Sequence, residues 1–149
     1  PRPAPAPEPA DVAAMMKTIE GEWILDAYRG SRNGRIIDVP VAAERLNADR
    51  ERWSIRPGGH YSRRMSGNLS FSGEFSLRPA SADMKIHDAE GTTYVLHGRN
   101  VTSLLAGLDR PEDFYLVAMV GDDLLVHYVG TTLKLFERFP DGARFRRAR

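Results

Sequence analysis

The sequence contains no cysteine, so the protein can form no disulfide bond and has no thiol for catalysis or for binding zinc. Nowhere does it hold the roughly 18 consecutive apolar residues that a membrane-spanning helix requires. It also lacks the Gly-x-Ser-x-Gly elbow, the phosphate-binding loop and the dinucleotide-binding glycine pattern. No motif therefore indicates a reaction, and we expect neither a cofactor nor a metal.

Lysine is nearly missing as well. Of the 21 basic residues, only Lys17, Lys85 and Lys134 are lysines, a bias that, together with abundant alanine, is typical of GC-rich bacterial genomes. The formal net charge is +1, and residues 140–149 form a basic tail with four arginines and one aspartate. The rest of the chain is near neutral, which argues against a nucleic-acid partner, because such a partner needs positive charge clustered on the folded domain.

Residues 1–10, PRPAPAPEPA, alternate proline with small residues and are predicted to form an extended, flexible arm. We interpret the arm as a tether; the alternative interpretation is a disordered terminal extension. A short helix is predicted next, because Asp11 is a suitable N-cap and apolar residues follow at helical spacing, at Val12, Met15, Met16 and Ile19. This helix is too short to be stable alone, so we expect it to dock on the rest of the domain.

From Glu22 onward the apolar residues recur with a period of two, which is typical of β-strands with one buried face. The clearest examples are EWILDAY, ERWSIRP and NLSFSGEFSLRP. A Pro57-Gly58-Gly59 turn predicts a hairpin between ERWSIRP and the following strand, GGHYSRRMSG. Gly73 lies in the middle of an apolar strand face, where a close contact or a bend is expected. Further strands are predicted at MKIHD, TTYVLHG, DFYLVAMVG, LLVHYVG and TLKLFERF.

Short polar turns join most of these strands, and no helices alternate with them, which favours an antiparallel up-and-down meander. Residues 34–49 and 98–113 interrupt the pattern, and leucines in the second interruption predict a helical flap near 101–109. A meander of about eight strands removes its exposed edges by closing into a barrel. We therefore predict an all-β fold in which residues 11–139 form one barrel domain.

The combination of a short helix, Gly21-x-Trp23 at the first strand, a meander and a last predicted strand that ends in Arg138 resembles the lipocalin (calycin) pattern, over roughly residues 19–139. The resemblance implies that Trp23 plugs one end of a lipocalin-like barrel and that Arg138 packs across its ring. Gly21, Trp23 and Arg138 are thus predicted to be a structural plug. The chain departs from the family at residues 113–115, where DFY replaces the usual Thr-Asp-Tyr motif, and in having no disulfide.

A ligand cavity is predicted at the end of the barrel opposite this plug. An arginine near its mouth is suited to a carboxylate or phosphate head group, while aromatic side chains hold an apolar body. The alternative is a barrel whose interior is filled by its own side chains. The candidate lining residues are Trp53, Tyr61, Arg63, Arg64, Phe71, Phe75, Tyr94 and Tyr128.

Three functional hypotheses follow. The leading one is a lipocalin-like binding protein for a small hydrophobic or amphipathic molecule, tethered in the bacterial periplasm or cell envelope as a lipoprotein is; a cytoplasmic location is the alternative. The second is a ligand-free interaction module, such as a protease inhibitor, that contacts a protein partner through its N-terminal arm or the barrel rim. The third is an enzyme on the same barrel that uses a histidine with a tyrosine or arginine in the cavity. His97 and His127 are its candidate histidines and would face each other if their strands are neighbours. The fold alone does not choose among these hypotheses.

Overall fold

A computed structural model describes residues 9–33, 35–41, 51–64, 70–86, 88–103, 112–128 and 142–148. These residues form one helix and nine strands. The elements are α1 (Pro9–Thr18), β1 (Gly21–Arg32), β2 (Arg35–Pro40), β3 (Arg52–Arg56), β4 (His60–Arg64), β5 (Ser70–Pro79), β6 (Glu90–Ser103), β7 (Glu112–Val120), β8 (Asp123–Tyr128) and β9 (Ala143–Arg147).

The strands form a closed antiparallel barrel. Strand β1 pairs with β3, sequential neighbours pair from β3 to β9, and β9 pairs back with β1, which joins eight strands into a ring. Strand β2 is an extra strand that pairs with the second half of β1, from Ala27 to Arg32. The predicted all-β meander that closes into a barrel is confirmed.

Alternation along the strands places apolar side chains inside the barrel. In β3, Trp53 and Ile55 are buried while Arg56 is exposed, and the predicted hairpin with β4 is present. A bulge between Leu25 and Ala27 shifts the register of β1 against β9. Because of this shift, the next residue of β1 after Leu25 that packs against the core is Tyr28. A second bulge, between Ser72 and Gly73, lies where the mid-strand glycine predicted a bend.

The helix α1 closes one end of the barrel, as its apolar stripe predicted. Met15 and Ile19 are buried in the same core cluster as the barrel interior. The indole Nε1 of Trp23 donates to the carbonyl of Ile19 at 2.8 Å, which ties the helix end to β1. Docking supplies the stabilisation that so short a helix lacks. No helix of the described ranges is long and apolar enough to span a membrane.

Two local predictions differ from the structure, and a third is not tested by it. The described residues of MKIHD, 84–86 and 88, do not form a strand: the Met84 amide donates to the Ser81 carbonyl in a turn, and β6 begins later, at Glu90. Strand β6 also continues through Ser103, so the first part of the predicted flap is extended, while 104–109 lie outside the described residues. The segment TLKLFERF lies outside them as well.

The final strand lies further along the chain than predicted. Residues 143–147, which the charge count assigned to the basic tail, form β9. The reason is that Ala143 and Phe145 alternate with Arg144 and Arg146, so a two-residue period is present beneath the run of arginines. Ala143 and Phe145 are almost completely buried in the barrel core.

Candidate functional site

The helix-capped end of the barrel is sealed by Trp23, which is completely buried. The guanidinium carbon of Arg147 lies 4.3 Å from the centroid of the Trp23 ring. The same guanidinium donates to the carbonyls of Glu20 and Thr18. Arg147 thus has the contact that the resemblance assigned to Arg138, a residue outside the described ranges.

Gly21 is necessary for this arrangement. Its φ of +128° lies where side chains are strained, and a Cβ atom at this position would lie 2.9 Å from a terminal nitrogen of Arg147. The plug of Gly21, Trp23 and Arg147 is therefore a structural unit.

A buried ion pair lies inside the barrel. The Nε of Arg63, on β4, donates to Oε1 of Glu51, the residue that precedes β3. The Arg63 side chain is 1% exposed and that of Glu51 is 11% exposed. The indole Nε1 of Trp53 also donates to Glu51 Oε1, at 3.3 Å. Burying two charges is tolerated here because each has charged or hydrogen-bonding partners.

Two tyrosines extend this polar cluster. The Nη1 of Arg63 donates to the Tyr115 hydroxyl at 2.9 Å. The Tyr61 hydroxyl reaches β6 at Gly98, where a Cβ atom would lie only 2.8 Å from it. Asp113 is also buried, one interior position from Tyr115 on β7. We call these five residues the polar cluster: Glu51, Tyr61, Arg63, Asp113 and Tyr115.

Aromatic rings surround the polar cluster. The Trp53 ring has the Arg63 guanidinium carbon 5.3 Å from its centroid, in cation–π range. Trp53 also packs edge-on against Tyr115, with centroids 4.9 Å apart, and against Phe145 at 6.0 Å. Tyr61 in turn packs edge-on against Phe75 at 6.1 Å. The interior therefore combines charged hydrogen-bonding groups with a continuous aromatic wall.

Burial and neighbouring charges determine the protonation states of the two tyrosines and the arginine in the polar cluster. Burial raises the pKa of Tyr61 far above the ordinary phenol value, and the Asp113 carboxylate raises it further. Burial likewise raises the pKa of Tyr115, although the Arg63 cation opposes the shift. Burial alone would lower the pKa of Arg63, but Glu51, Tyr115 and Asp113 outweigh it, and the net shift is upward. Near neutral pH the cluster thus offers two neutral phenols and a permanent cation.

The predicted lining residues divide into three groups. Trp53, Tyr61, Phe75 and Tyr94 are buried in the core cluster, with Tyr94 at the helix-capped end, where its hydroxyl lies 3.5 Å from the Asp11 carbonyl. Arg63 is buried in the interior rather than near a mouth, and Arg64 is exposed on the outer face of β4. The side chains of Phe71 and Tyr128 lie outside the description.

The prediction missed Glu51, Asp113 and Tyr115. A signal existed for each, because strand alternation groups Glu51 with Trp53 and Ile55, and groups Asp113 and Tyr115 with Val117. Charged residues at interior positions are rare enough that a strict alternation count would have identified them.

The two candidate catalytic histidines, His97 and His127, do not lie on neighbouring strands. His97 on β6 and His127 on β8 are separated by β7, where their pairing partners are Phe114 and Leu116. The His97 ring stacks on Phe114 with centroids 4.4 Å apart, and its Nε2 lies 3.3 Å from a Glu112 oxygen. Among the described residues, no three His, Asp or Glu side chains form a group that could hold a metal ion.

The groups of the polar cluster are suited to holding a polar atom by hydrogen bonds, and the surrounding rings to holding an apolar body. No model of a known protein family matches the chain, and neither a curated protein nor a solved structure is significantly similar to it. The class that the fold defines is a closed, eight-stranded antiparallel β-barrel with one extra strand and a short capping helix.

Proposed function

We propose that this protein is a lipocalin-like binding protein that holds a small amphipathic molecule inside the barrel. The polar part of the ligand contacts the polar cluster, and its apolar part contacts Trp53 and Phe75. The single observation that carries the proposal is the buried Arg63–Glu51 pair within an aromatic barrel interior.

The energetics of this pair support a role beyond stability. Taking two charges out of water costs several kcal/mol per ion, and well-packed apolar residues of similar volume stabilise a core at least as well. Strongly shifted titratable groups inside a barrel are also typical of functional sites. A role of Arg63 and Glu51 as preformed hydrogen-bonding groups for a ligand would explain why the interior keeps two charges that apolar residues could replace.

The chemistry of the polar cluster defines the ligand. Neutral Tyr61 and Tyr115 hydroxyls donate and accept hydrogen bonds, and the Arg63 guanidinium donates only. A ligand oxygen, as in a carboxylate, carbonyl or hydroxyl group, can accept hydrogen bonds from these donors. We further propose that the protein acts in the bacterial cell envelope, with the residues before α1 as a semi-rigid tether; the proline-rich composition of residues 1–8 supports the tether.

Native mass spectrometry and solvent extraction of purified protein test the proposal. We expect a stoichiometric small molecule, or stoichiometric binding of cis-parinaric acid as a fluorescent probe. Tyr115→Phe, which keeps the ring and removes one hydroxyl, should weaken binding by about tenfold, the effect of one charge-assisted hydrogen bond. Arg78→Gln, at an exposed position of β5, is the matched control. An interior that takes up neither an endogenous compound nor the probe would refute the proposal.

A second candidate function is that of a protein-interaction module. Strand β2 lies outside the ring, pairs only with β1 among the described strands, and exposes Ile37 and Val39 at 40% and 43%. An edge strand with exposed apolar side chains is suited to a partner that adds an extended strand to it. Residues 1–10, the other predicted contact, lie mostly outside the described ranges.

Paired variants distinguish the two functions. Ile37→Lys and Val39→Lys should abolish capture of such a partner, or self-association measured by sedimentation, without changing parinaric acid binding. Tyr115→Phe should weaken parinaric acid binding and leave partner capture and self-association unchanged. If the β2 variants leave every association unchanged, the interaction function is wrong.

A further inference from the structure

Two arginines lie directly opposite each other on the outer face of the barrel. Arg52 on β3 and Arg64 on β4 are register partners in the β3–β4 hairpin. Directly opposite residues of an antiparallel pair have Cα atoms about 4.5–5.5 Å apart, so their side chains are neighbours. Like charges in this position repel each other and destabilise a hairpin.

Among the described residues, no carboxylate compensates this repulsion. Neither guanidinium has an ion-pair or hydrogen-bond partner within the part of the chain that the structure describes. The two carboxylates diagonal to Arg52 on β1 are already engaged: Glu22 accepts from the Ser54 hydroxyl at 2.7 Å, and Asp26 pairs with Arg146 at 3.4 Å. The described positions beside Arg64 on β5, Ser70 and Ser72, carry no charge.

A row of serines lies on one side of the arginine pair. Ser54, Ser62 and Ser72 occupy one cross-strand row next to Arg52 and Arg64, and all three are half-buried. Ser62 and Ser72 also line an open groove of about 540 Å³, whose other lining residues include Arg56, His60 and Glu74. Because the Ser54 hydroxyl already donates to Glu22, the surface offers two cations and the hydroxyls of Ser62 and Ser72.

We propose that Arg52 and Arg64, together with the serine row, form a binding site for a phosphate group, distinct from the barrel interior. Two neighbouring guanidinium groups donate hydrogen bonds to phosphate oxygens, and serine hydroxyls supplement them. The bound dianion cancels the repulsion between the arginines, so the surface is complete only with an anion on it. The adjacent groove, which Ser62 and Ser72 also line, accommodates the remainder of a phosphorylated molecule.

Titration with inorganic phosphate at constant ionic strength tests the proposal, with chloride as the reference anion. Binding is followed by NMR chemical shifts and by the melting temperature. We expect saturable binding to the parent protein and a loss of at least about tenfold in affinity for Arg64→Gln, since a charged hydrogen bond is removed. Arg52→Gln should behave alike, and Arg64→Lys should bind with intermediate affinity because it keeps the charge but not the planar fork.

The control is Arg78→Gln, which removes an exposed arginine from the same outer face at β5 and should leave phosphate affinity unchanged. In phosphate-free buffer of low ionic strength, Arg64→Gln should melt no lower than the parent, because it relieves the repulsion. An equal phosphate response in all variants, or a lower melting temperature of Arg64→Gln without phosphate, would overturn the proposal.

Two arms identify the source of the phosphate group. Vesicles containing phosphatidic acid in phosphatidylcholine present it as a lipid headgroup, and glucose 6-phosphate presents it on a soluble molecule. Retention by the vesicles that Arg52→Gln abolishes would assign a membrane source, and stronger binding of the sugar phosphate than of inorganic phosphate would assign a soluble one. Arg64 faces away from the interior, so parinaric acid binding should persist in these variants, which separates this site from the proposed carrier function.

Discussion

The guanidinium carbon of Arg147 lies 4.3 Å from the centroid of the Trp23 ring, while its two terminal nitrogens donate to the carbonyls of Glu20 and Thr18. One side chain therefore joins the last strand of the barrel to the indole that seals it and to the chain leaving α1. The cation–π contact and the two hydrogen bonds act on the same rigid group, so the loss of one weakens the others.

Replacing Arg147 by alanine is expected to lower the free energy of unfolding by about 1–3 kcal/mol, from the lost cation–π contact and hydrogen bonds. Trp23→Ala should cost more, about 3–5 kcal/mol, because it also leaves a large cavity. Urea denaturation measures both. The matched control is Arg146→Ala, the adjacent arginine with a weaker pairing to Asp26, and an equal loss for the two arginines would contradict the assigned role of Arg147.

Breaking the interior ion pair is expected to be severely destabilising. Glu51→Gln or Arg63→Met leaves a buried charge without its partner, at a cost of about 3–5 kcal/mol. The double variant removes both charges and should be less destabilised than the sum of the single losses. A double-mutant cycle by urea denaturation measures this coupling, and additive losses would mean that the two side chains do not interact.

Gly98 is expected to reject even the smallest side chain. A Cβ atom there would lie 2.8 Å from the Tyr61 hydroxyl oxygen and 3.1 Å from the ring carbon that bears it. Overpacking of this kind costs about 1–3 kcal/mol, so Gly98→Ala should melt well below the parent. Tyr61→Phe removes the closest atom and should restore part of the loss in the double variant. If the double variant is as unstable as Gly98→Ala alone, the collision with Tyr61 is not the cause.

Stability is expected to fall steeply in alkali. Burial raises the pKa of Tyr61 and Tyr115 in the folded state, whereas unfolded tyrosines ionise near pH 10. Above about pH 10 the unfolded chain therefore binds fewer protons than the folded one, and each buried phenol lowers the free energy of unfolding by up to about 1.4 kcal/mol per pH unit.

Urea denaturation between pH 9 and pH 11 measures this decline, since these values bracket the ordinary phenol pKa of about 10. Tyr115→Phe should make the slope shallower while lowering stability at every pH, because it also loses the Arg63 hydrogen bond. An unchanged slope in this variant would show that Tyr115 does not contribute to the alkaline loss.

Much of the fold could be predicted because strand periodicity is a local signal. Trp53 and Ile55 alternate with arginines and a serine, and the Pro57-Gly58-Gly59 turn marks the hairpin, so β3 and β4 were evident from a few residues. The docked helix followed from Met15 and Ile19 in the same way. These features depend on residues that are close in the sequence, and counting the spacing of apolar residues detects them.

The candidate site was harder to predict because it depends on side chains that lie far apart in the sequence. Arg63 and Arg64 are adjacent and chemically identical, yet one lies in the core and the other in solvent. The assignment of Arg63 depends on Glu51 and Tyr115, whose positions beside it are fixed only by barrel closure. Likewise, Arg147 rather than an earlier arginine covers Trp23, because the pairing of β9 with β1 selects it.

The seam between β1 and β9 also has a consequence for biosynthesis. Arg147 and Glu20, which hydrogen-bond there, are 127 positions apart in the chain. Strand β9 is synthesised after all the other strands. The two strand edges that pair with it therefore stay unpaired until translation has passed Arg147. Long-range pairing of this kind makes folding slow and leaves uncovered edges open to aggregation, so the yield of native protein in the cell should depend on chaperones that shield the incomplete ring.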